Sequence, residues 1–253
     1  MTLGQATFRF YGRLNDFLRE DRRNLTFLYK FKGKPSIKHT IEAIGVPHPE
    51  VGCIQINNRK EDFSYLLNSN DSVQVHPSFD NPSAKKFFGD TAIISTPCFL
   101  LDNHLGKLAI YLRMMGFDVL YRNDYKDDEL AEIAGKSERI LLTRDRGLLK
   151  RSIIKFGYIV RSSLPRDQVM EVSKRYDLYV NAKPFHRCLQ CNSIIKPVEK
   201  QLILNRLQPL TKQYYDEFKI CNDCDQIYWK GSHYKRMSSM LDEIFKEIKS
   251  KVN

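Results

Sequence analysis

Two cysteine pairs in the second half of the chain restrict what this sequence can fold into. Cys188 with Cys191 and Cys221 with Cys224 each enclose two residues, and together they account for four of the six cysteines. Thiolates at this spacing can bind one Zn²⁺ from a single tight turn, and two such turns complete a closed tetrahedral site. The spacing therefore predicts a structural zinc site, with any catalysis located elsewhere. Four ordinary reduced cysteines are the alternative interpretation.

The stretch between the two pairs is long for such a site. Cys191 and Cys221 enclose 29 residues, 192 to 220, whereas a zinc ribbon usually has about 15 to 20 there. We therefore expect an inserted hairpin between the two metal-binding turns.

Composition limits the classes of protein that remain. The 253 residues, 42% of them hydrophobic, can bury a sizeable core in two or three domains. No apolar run approaches the roughly 18 residues that a membrane helix needs, so no membrane segment is expected. The chain also has no signal-like apolar start, which predicts reduced cysteines and a cytoplasmic location.

The net charge of +11 favours a polyanionic partner, of which nucleic acid is the commonest. Residues 1–84 carry 11 basic and 9 acidic side chains, residues 85–182 carry 17 and 13, and residues 183–253 carry 13 and 8. Phosphate-binding surface is therefore expected on the last two segments. A basic surface that serves only solubility is the alternative.

The N-terminal residues show the pattern of a small α+β domain. TFRFYG at 7–12 and LTFLYKF at 25–31 alternate apolar and polar residues, as do VGCIQIN and SVQVHPSF further along. A helix is predicted from Ser36, a candidate N-cap, to Ile44, with Gly45 just past its end. The order β, β, α, β, β predicts one helix packed across a mixed sheet. No catalytic constellation occurs in this segment.

Strands alternate with helices after Pro97, which predicts parallel βαβ units. Asp102 follows the apolar run CFLL, and Asp145 follows RILLT by one residue. Asp127 and Asp128 open the helix between these strands. Because ligands of open α/β sheets bind at the carboxyl ends of the strands, these carboxylates are expected to converge. Converging carboxylates would bind Mg²⁺ or Mn²⁺, a site suited to phosphodiester hydrolysis. Helix caps and ion pairs are the alternative roles for the same acids.

Basic and aromatic residues are candidates for nucleic-acid contact. Cations next to the acids could bind the scissile and flanking phosphates, and the run IYWKGSHYKRM at 227–237 could stack on unpaired bases. The alternative roles are a solvated surface and, for Tyr228 and Trp229, packing inside the zinc module. The candidates are Lys107, Arg113, Arg144, Arg146, Lys150, Arg151, Trp229, Lys230, His233 and Tyr234.

Three stretches, FLLDNHLGKLAIYLRMMGFDVLY, DDEL and ILLTRDRGLLKR, resemble the Mut7-C RNase domain, a member of the PIN-like nuclease group. The resemblance implies that Asp102, Asp127 and Asp145 bind the catalytic Mg²⁺ or Mn²⁺, with Asp128 as an equal candidate for the helix position. Upstream, SIKHTIEAIGVPHPEVGCIQIN, DFSYLL and SVQVHPSF resemble the ubiquitin-like domain that precedes Mut7-C proteins, which implies a β-grasp fold. Because this segment lacks a terminal Gly-Gly, an interaction module is expected rather than a conjugated modifier.

The expected fold is therefore an α/β PIN-like parallel-sheet domain with a Cys₄ zinc ribbon, preceded by an α+β ubiquitin-like β-grasp domain. The main hypothesis is a metal-dependent ribonuclease acting on single-stranded RNA. The alternative is a non-catalytic RNA-binding protein whose β-grasp domain recruits a protein partner. RNA or DNA as the substrate is left open. The expected segments are the β-grasp domain at 1–84, a linker at 85–96, the PIN-like domain at 97–182, the zinc module at 183–237 and an amphipathic helix at 238–253.

Overall fold

The computed structural model describes residues 3–78 and 96–250. The chain forms two compact units. One holds the described residues of Met1–Ser95 together with Lys126–Ile159, and the other holds the described residues of Thr96–Tyr125 and Val160–Asn253. The expected linker at 85–96 lies outside the described residues, apart from residue 96. Among the helices that the structure describes, none is long and apolar enough to cross a membrane.

Within residues 3–78, the N-terminal domain is a mixed sheet of five strands with one α-helix, which confirms the predicted mixed sheet and helix and adds one strand to the four expected. The strand order is β2-β1-β5-β3-β4, in which β1 pairs with β5 in parallel and the other pairs are antiparallel. The short strand β4 was not anticipated, because its sequence RKE is polar throughout. The elements are β1 (Leu3–Phe10), β2 (Phe27–Lys32), α1 (Ile37–Ile44), β3 (Val51–Ile56), β4 (Arg59–Glu61) and β5 (Ser72–Pro77).

Local sequence explains where the helix of this domain begins and ends. The Ser36 hydroxyl accepts a hydrogen bond from the backbone N–H of His39 at 3.2 Å, which caps the first turn. Gly45 follows the helix with φ of 130°, in a region that other residues avoid. Ile37 and Ile41, one turn apart, are fully buried and anchor the helix in the core.

Four strands after residue 96 form a parallel sheet in the order β7-β6-β8-β9. In one unit β6 pairs in parallel with β7, and in the other β8 pairs in parallel with β9. The alternating pattern of the sequence is thus confirmed. The elements are β6 (Cys98–Leu101), α2 (Gly106–Met114), β7 (Asp118–Leu120), α3 (Asp127–Lys136), β8 (Ile140–Thr143), α4 (Arg146–Leu149), β9 (Gly157–Ile159), α5 (Pro165–Tyr176) and α6 (Leu178–Asn181).

Both edge strands of this sheet have backbone groups bonded to side chains. On β7, the Val119 N–H donates to Asn192 Oδ1 at 2.9 Å, and the Val119 carbonyl accepts from Arg113 Nη2 at 2.9 Å. On β9, the Ile159 N–H donates to Glu50 Oε1 at 2.8 Å. Unpaired edge groups are costly when buried and invite pairing with other chains, so these side chains stabilise the sheet at both edges.

The C-terminal region contains a three-stranded antiparallel sheet in the order β10-β11-β12, followed by a long helix. The insertion between the cysteine pairs does contain an antiparallel strand pair, but two short α-helices and the 3-10 helix Leu204–Arg206 connect those strands. The final helix begins at Ser232, six residues earlier than predicted. The elements are β10 (Lys196–Val198), α7 (Lys200–Ile203), α8 (Pro209–Tyr214), β11 (Phe218–Ile220), β12 (Ile227–Trp229) and α9 (Ser232–Ser250).

The final helix lies against α5, as expected of a docked amphipathic helix. Leu241, Ile244 and Ile248, spaced by three and four residues, are buried. Arg166 Nη1 of α5 lies 3.4 Å from Glu243 Oε2 across the contact.

Candidate functional site

The four predicted metal-binding cysteines lie together. Their Sγ atoms are all within 4.8 Å of one another. Cys188 Sγ is 3.5 Å from Cys224 Sγ, and Cys191 Sγ is 3.3 Å from Cys221 Sγ. Sulfur atoms bound tetrahedrally to one Zn²⁺ at about 2.3 Å would be roughly 3.8 Å apart. The four thiols are therefore placed where they could hold one zinc ion.

The two cysteine turns have the same backbone geometry. The Cys188 carbonyl accepts from the Asn192 N–H at 3.0 Å, and the Cys221 carbonyl accepts from the Asp225 N–H at 2.8 Å. Asn192 has φ of 78° and Asp225 has φ of 58°, each directly after the second cysteine of its pair. Asn and Asp tolerate this left-handed conformation better than other non-glycine residues. The sequence thus encodes both turns locally.

The four thiols are close enough to shift one another's pKa. Burial, with hydrogen bonds to the other thiols, raises the pKa of Cys224 to about 12. Burial also opposes ionisation of Cys191, but hydrogen bonds from the backbone N–H and hydroxyl of Ser193, and from Cys221 and Cys224, lower the pKa of Cys191 to about 6. Protons therefore remain on this cluster at neutral pH. Because a metal ion binds thiolates, its binding would release these protons.

Tyr228 supports the first cysteine turn from outside the four ligands. Its hydroxyl accepts from the Leu189 N–H at 3.0 Å and lies 3.1 Å from Cys188 Sγ, where it can donate its proton to the sulfur. Burial, with the neighbouring Cys188 sulfur, raises the pKa of Tyr228. The hydroxyl thus stays protonated and available as a donor. Tyr228 accordingly belongs to the zinc module, the alternative role that the sequence allowed.

Arg113 is buried, which makes its predicted phosphate contact wrong. Its side chain is only 4% exposed. Nη1 donates to the carbonyls of Leu189 (3.1 Å) and Gln190 (2.8 Å), and Nε donates to the Val119 carbonyl at 3.2 Å. The guanidinium group therefore joins α2 and β7 to the first cysteine turn. The position of Arg113 four residues after the buried Ala109 was the sequence signal that placed it on the inner helix face.

Asp102 lies directly after β6 and is only 5% exposed. Its Oδ1 accepts from the His104 N–H at 2.9 Å and caps the 3-10 turn Asn103–Leu105. The structure therefore gives Asp102 a capping role.

Asp145 is exposed and caps α4. Its Oδ1 accepts from the Gly147 N–H at 2.6 Å and from the Leu148 N–H at 3.3 Å. A side chain on Gly147 would place its Cβ 3.1 Å from Asp145 Oδ1, so glycine allows this close approach. The Thr143 hydroxyl accepts from the Asp145 N–H at 2.9 Å. These bonds fix the orientation of the carboxylate.

Three of the predicted acids lie around one arginine. The Arg151 guanidinium donates to Asp128, and this bond, followed by the charges of Asp127 and Asp145, raises the pKa of Arg151. Within the described residues, Asp127 has no hydrogen bond or ion pair through its carboxylate. Asp127, Asp128 and Asp145 are thus near enough to influence a common cation.

The remaining nucleic-acid candidates differ in their surroundings. Lys107, His233 and the indole of Trp229 are exposed, and Arg144 is exposed beside Asp145. Lys230 and Tyr234 contact protein groups. Lys230 Nζ is 2.8 Å from Glu217 Oε2, and the Tyr234 ring centroid is 4.3 Å from that of Phe185. Arg146 and Lys150 contact the N-terminal domain.

Comparison with known families gives two matches. The model of the Mut7-C RNAse domain matches residues 97–241, and the model of the Mut7-C ubiquitin domain matches residues 4–83. Neither the curated proteins nor the solved structures gave a match. The first match includes the four clustered cysteines and the acids Asp102, Asp127, Asp128 and Asp145, and it extends over more than half of the 253 residues. The chain therefore belongs to the Mut7-C RNAse domain family and carries a Mut7-C ubiquitin domain before its RNAse domain.

Proposed function

We propose that this protein is a metal-dependent ribonuclease that hydrolyses phosphodiester bonds of single-stranded RNA in the cytoplasm. The observation that carries the proposal is the RNAse-domain match over residues 97–241, which indicates a nuclease-type function. That range contains acids at the strand ends and helix starts where α/β proteins bind ligands.

Asp102, Asp127 and Asp145 are the proposed ligands of Mg²⁺ or Mn²⁺. Carboxylate oxygens are hard donors that suit both ions. When bound, the ion would activate water and neutralise charge that develops on the phosphate. Asp102 and Asp145 each accept a backbone N–H bond, which orients both carboxylates. Asp127 is preferred over Asp128 because Arg151 already pairs with Asp128.

The zinc module is proposed to hold RNA without taking part in the reaction. Four cysteine ligands would close the coordination of Zn²⁺, which leaves no position for substrate. The exposed Trp229 and His233 offer ring faces for unpaired bases. Lys107 and Arg144 supply positive charge for phosphates.

A cleavage assay tests this proposal. Labelled single-stranded RNA and DNA are incubated with zinc-loaded protein and Mn²⁺, and Asp145→Asn is compared with Asp167→Asn, an exposed acid at the start of α5. Asn remains a good N-cap, so the first change removes charge while it preserves the turn. We expect metal-dependent RNA cleavage by wild type and Asp167→Asn, and at least about a hundredfold loss in Asp145→Asn with RNA affinity kept. Equal cleavage by Asp145→Asn would overturn the proposal.

A second candidate is a non-catalytic RNA-binding protein, whose β-grasp domain would recruit a protein partner. The capping bonds of Asp102 and Asp145 and the ion pair of Asp128 favour it, because ordinary structural roles account for these acids. Under this candidate the wild-type protein binds RNA but forms no product at any Mn²⁺ concentration.

A further inference from the structure

The N-terminal β-grasp domain makes buried polar contacts with β9, inside the same compact unit. Glu50 is fully buried, and its Oε1 accepts from the Ile159 N–H at 2.8 Å. Its Oε2 accepts from Arg13 Nε at 3.0 Å, and the Arg13 guanidinium lies 5.5 Å from the centroid of the Tyr158 ring. A buried carboxylate is stable only when it is hydrogen-bonded and paired. Glu50 of the β-grasp domain therefore depends on β9 for one of its hydrogen bonds.

His48 adds a contact at the loop before β9. One ring nitrogen, Nε2, lies 2.7 Å from the Ile154 carbonyl oxygen, and the other, Nδ1, lies 2.7 Å from Glu42 Oε1. His48 is 7% exposed, so solvent does not compete strongly for these bonds. The β-grasp domain therefore contacts both ends of this stretch, at Ile154 and at Tyr158 and Ile159.

The same domain also contacts both ends of α4, the helix that Asp145 caps. At its start, the Arg146 guanidinium lies 5.1 Å from the centroid of the Phe17 ring, and Arg146 Nη2 donates to the Asp16 carbonyl at 3.4 Å. Just beyond its end, Lys150 Nζ donates to the Glu42 carbonyl at 2.8 Å. A helix of four residues has too few internal bonds to be stable alone, so its position depends on these contacts together with the burial of Leu148 and Leu149.

We propose that the ubiquitin-like domain is a positioning element of the nuclease site, which fixes Asp145 by holding α4 at Arg146 and Lys150. This inference rests on the proposed function. It gives Arg146 and Lys150 a role different from phosphate contact, and it makes the domain an integral part of the enzyme rather than a separate recruitment module. A small displacement of a metal-binding carboxylate is enough to lower turnover, since about 1 Å of misplacement can cost roughly a hundredfold.

The test is a double-mutant cycle of Phe17→Leu and Arg146→Met in the full-length protein, because Met has a similar length but no positive charge. Phe17 is 5% exposed and belongs to the β-grasp domain, so it is inaccessible to RNA. Phe31→Leu is the matched control, because Phe31 is 7% exposed in the same domain but lies on β2. Two quantities are measured: hydrogen exchange of the Gly147 and Leu148 amides, which bond to Asp145, and kcat and KM for single-stranded RNA with Mn²⁺.

We expect Phe17→Leu to accelerate exchange of these two amides and to lower kcat, each by about fivefold relative to Phe31→Leu. This factor corresponds to the free energy of one cation–π contact. KM should change less than twofold in Phe17→Leu, and Phe17→Leu should add little once Arg146→Met is present. Exchange in Phe17→Leu that matches Phe31→Leu overturns the inference. So does a raised KM in Arg146→Met with no effect of Phe17→Leu, which would mark Arg146 as an RNA contact.

The two readouts separate this inference from the proposed function. If the wild-type protein cleaves no RNA, the proposed function fails, while the exchange measurement still reports whether the β-grasp domain orders the Asp145 turn. If cleavage occurs and neither readout changes in the cycle, only the positioning role fails.

Discussion

Replacing Arg113 by Met should release the zinc site from the RNAse fold. Arg113 makes four hydrogen bonds to three backbone carbonyls, two of which lie between Cys188 and Cys191. Burial lowers the pKa of Arg113, opposed by the negative charges of Cys188, Cys191 and Asp118, so the site is arranged to keep the guanidinium charged. Met has a similar length but donates no hydrogen bond.

The size of the effect follows from these contacts. A hydrogen bond to a charged group contributes about 1.5–3 kcal/mol, and breaking a buried charged contact costs about 3–5 kcal/mol in total. For a chain of this size, each kcal/mol lowers Tm by about 2–4 °C. We therefore expect Tm to fall by roughly 6–20 °C. Loss of groups that orient metal ligands typically weakens metal binding by about 10- to 100-fold, and the same range is expected for Zn²⁺.

Lys107→Met provides the comparison, because Lys107 is an exposed cation on the same helix. Zinc release is followed with a chromogenic chelator, thermal unfolding by calorimetry, and RNA affinity by fluorescence anisotropy. Arg113→Met should lose zinc and stability, while Lys107→Met should lose only RNA affinity. The reasoning is refuted if Arg113→Met retains zinc and Tm like Lys107→Met, or if it loses RNA affinity alone.

Three further predictions concern single residues. Burial lowers the pKa of His48 below its ordinary value, so the stability that the neutral imidazole contributes is present above about pH 6.5 and is lost as the pH falls through the native pKa. Denaturant unfolding at pH 7.5 and 5.5 should therefore show that the free energy of unfolding falls less on acidification in His48→Gln than in wild type. Tyr228→Phe should keep the fold but release zinc about tenfold faster to a chelator, and equal rates would exclude a role for the hydroxyl. Glu50→Gln should lower the free energy of opening at the Ile159 amide by about 2 kcal/mol in hydrogen exchange, whereas the exposed Glu20→Gln should not.

Features encoded by neighbouring residues could be predicted from the sequence. The cysteine spacing predicted the four-thiol cluster, because each turn depends only on its own few residues. The strands β1, β2, β3 and β5 were likewise predicted, as was α1, whose ends Ser36 and Gly45 mark. In the second domain β6, α2, β7, α3 and β8 were predicted, whereas β9, α4, α5 and α6 were not. The resemblance to both Mut7-C domains is confirmed by the family matches.

Contacts between distant segments could not be predicted. Glu50 and Ile159 are 109 residues apart, and Asn192 and Val119 are 73 apart, so no local pattern indicates that they bond. The burial of Arg113 and the packing of Arg146 on Phe17 likewise depend on contacts between residues that are far apart in the sequence. Sequence patterns identify basic residues near an acidic site, but only tertiary structure tells which of them are used by the protein itself.

The most direct test of the central claim is Mn²⁺ binding, measured by electron paramagnetic resonance on zinc-loaded protein. Asp102→Asn and Asp145→Asn are compared with Asp167→Asn, and both changes preserve the capping oxygen. The proposal predicts one Mn²⁺ site whose affinity falls at least about tenfold, or 1.4 kcal/mol, in each of the two variants and not in the control. If either variant binds Mn²⁺ as tightly as Asp167→Asn, the two carboxylates do not share an ion, and the proposed catalytic site is wrong.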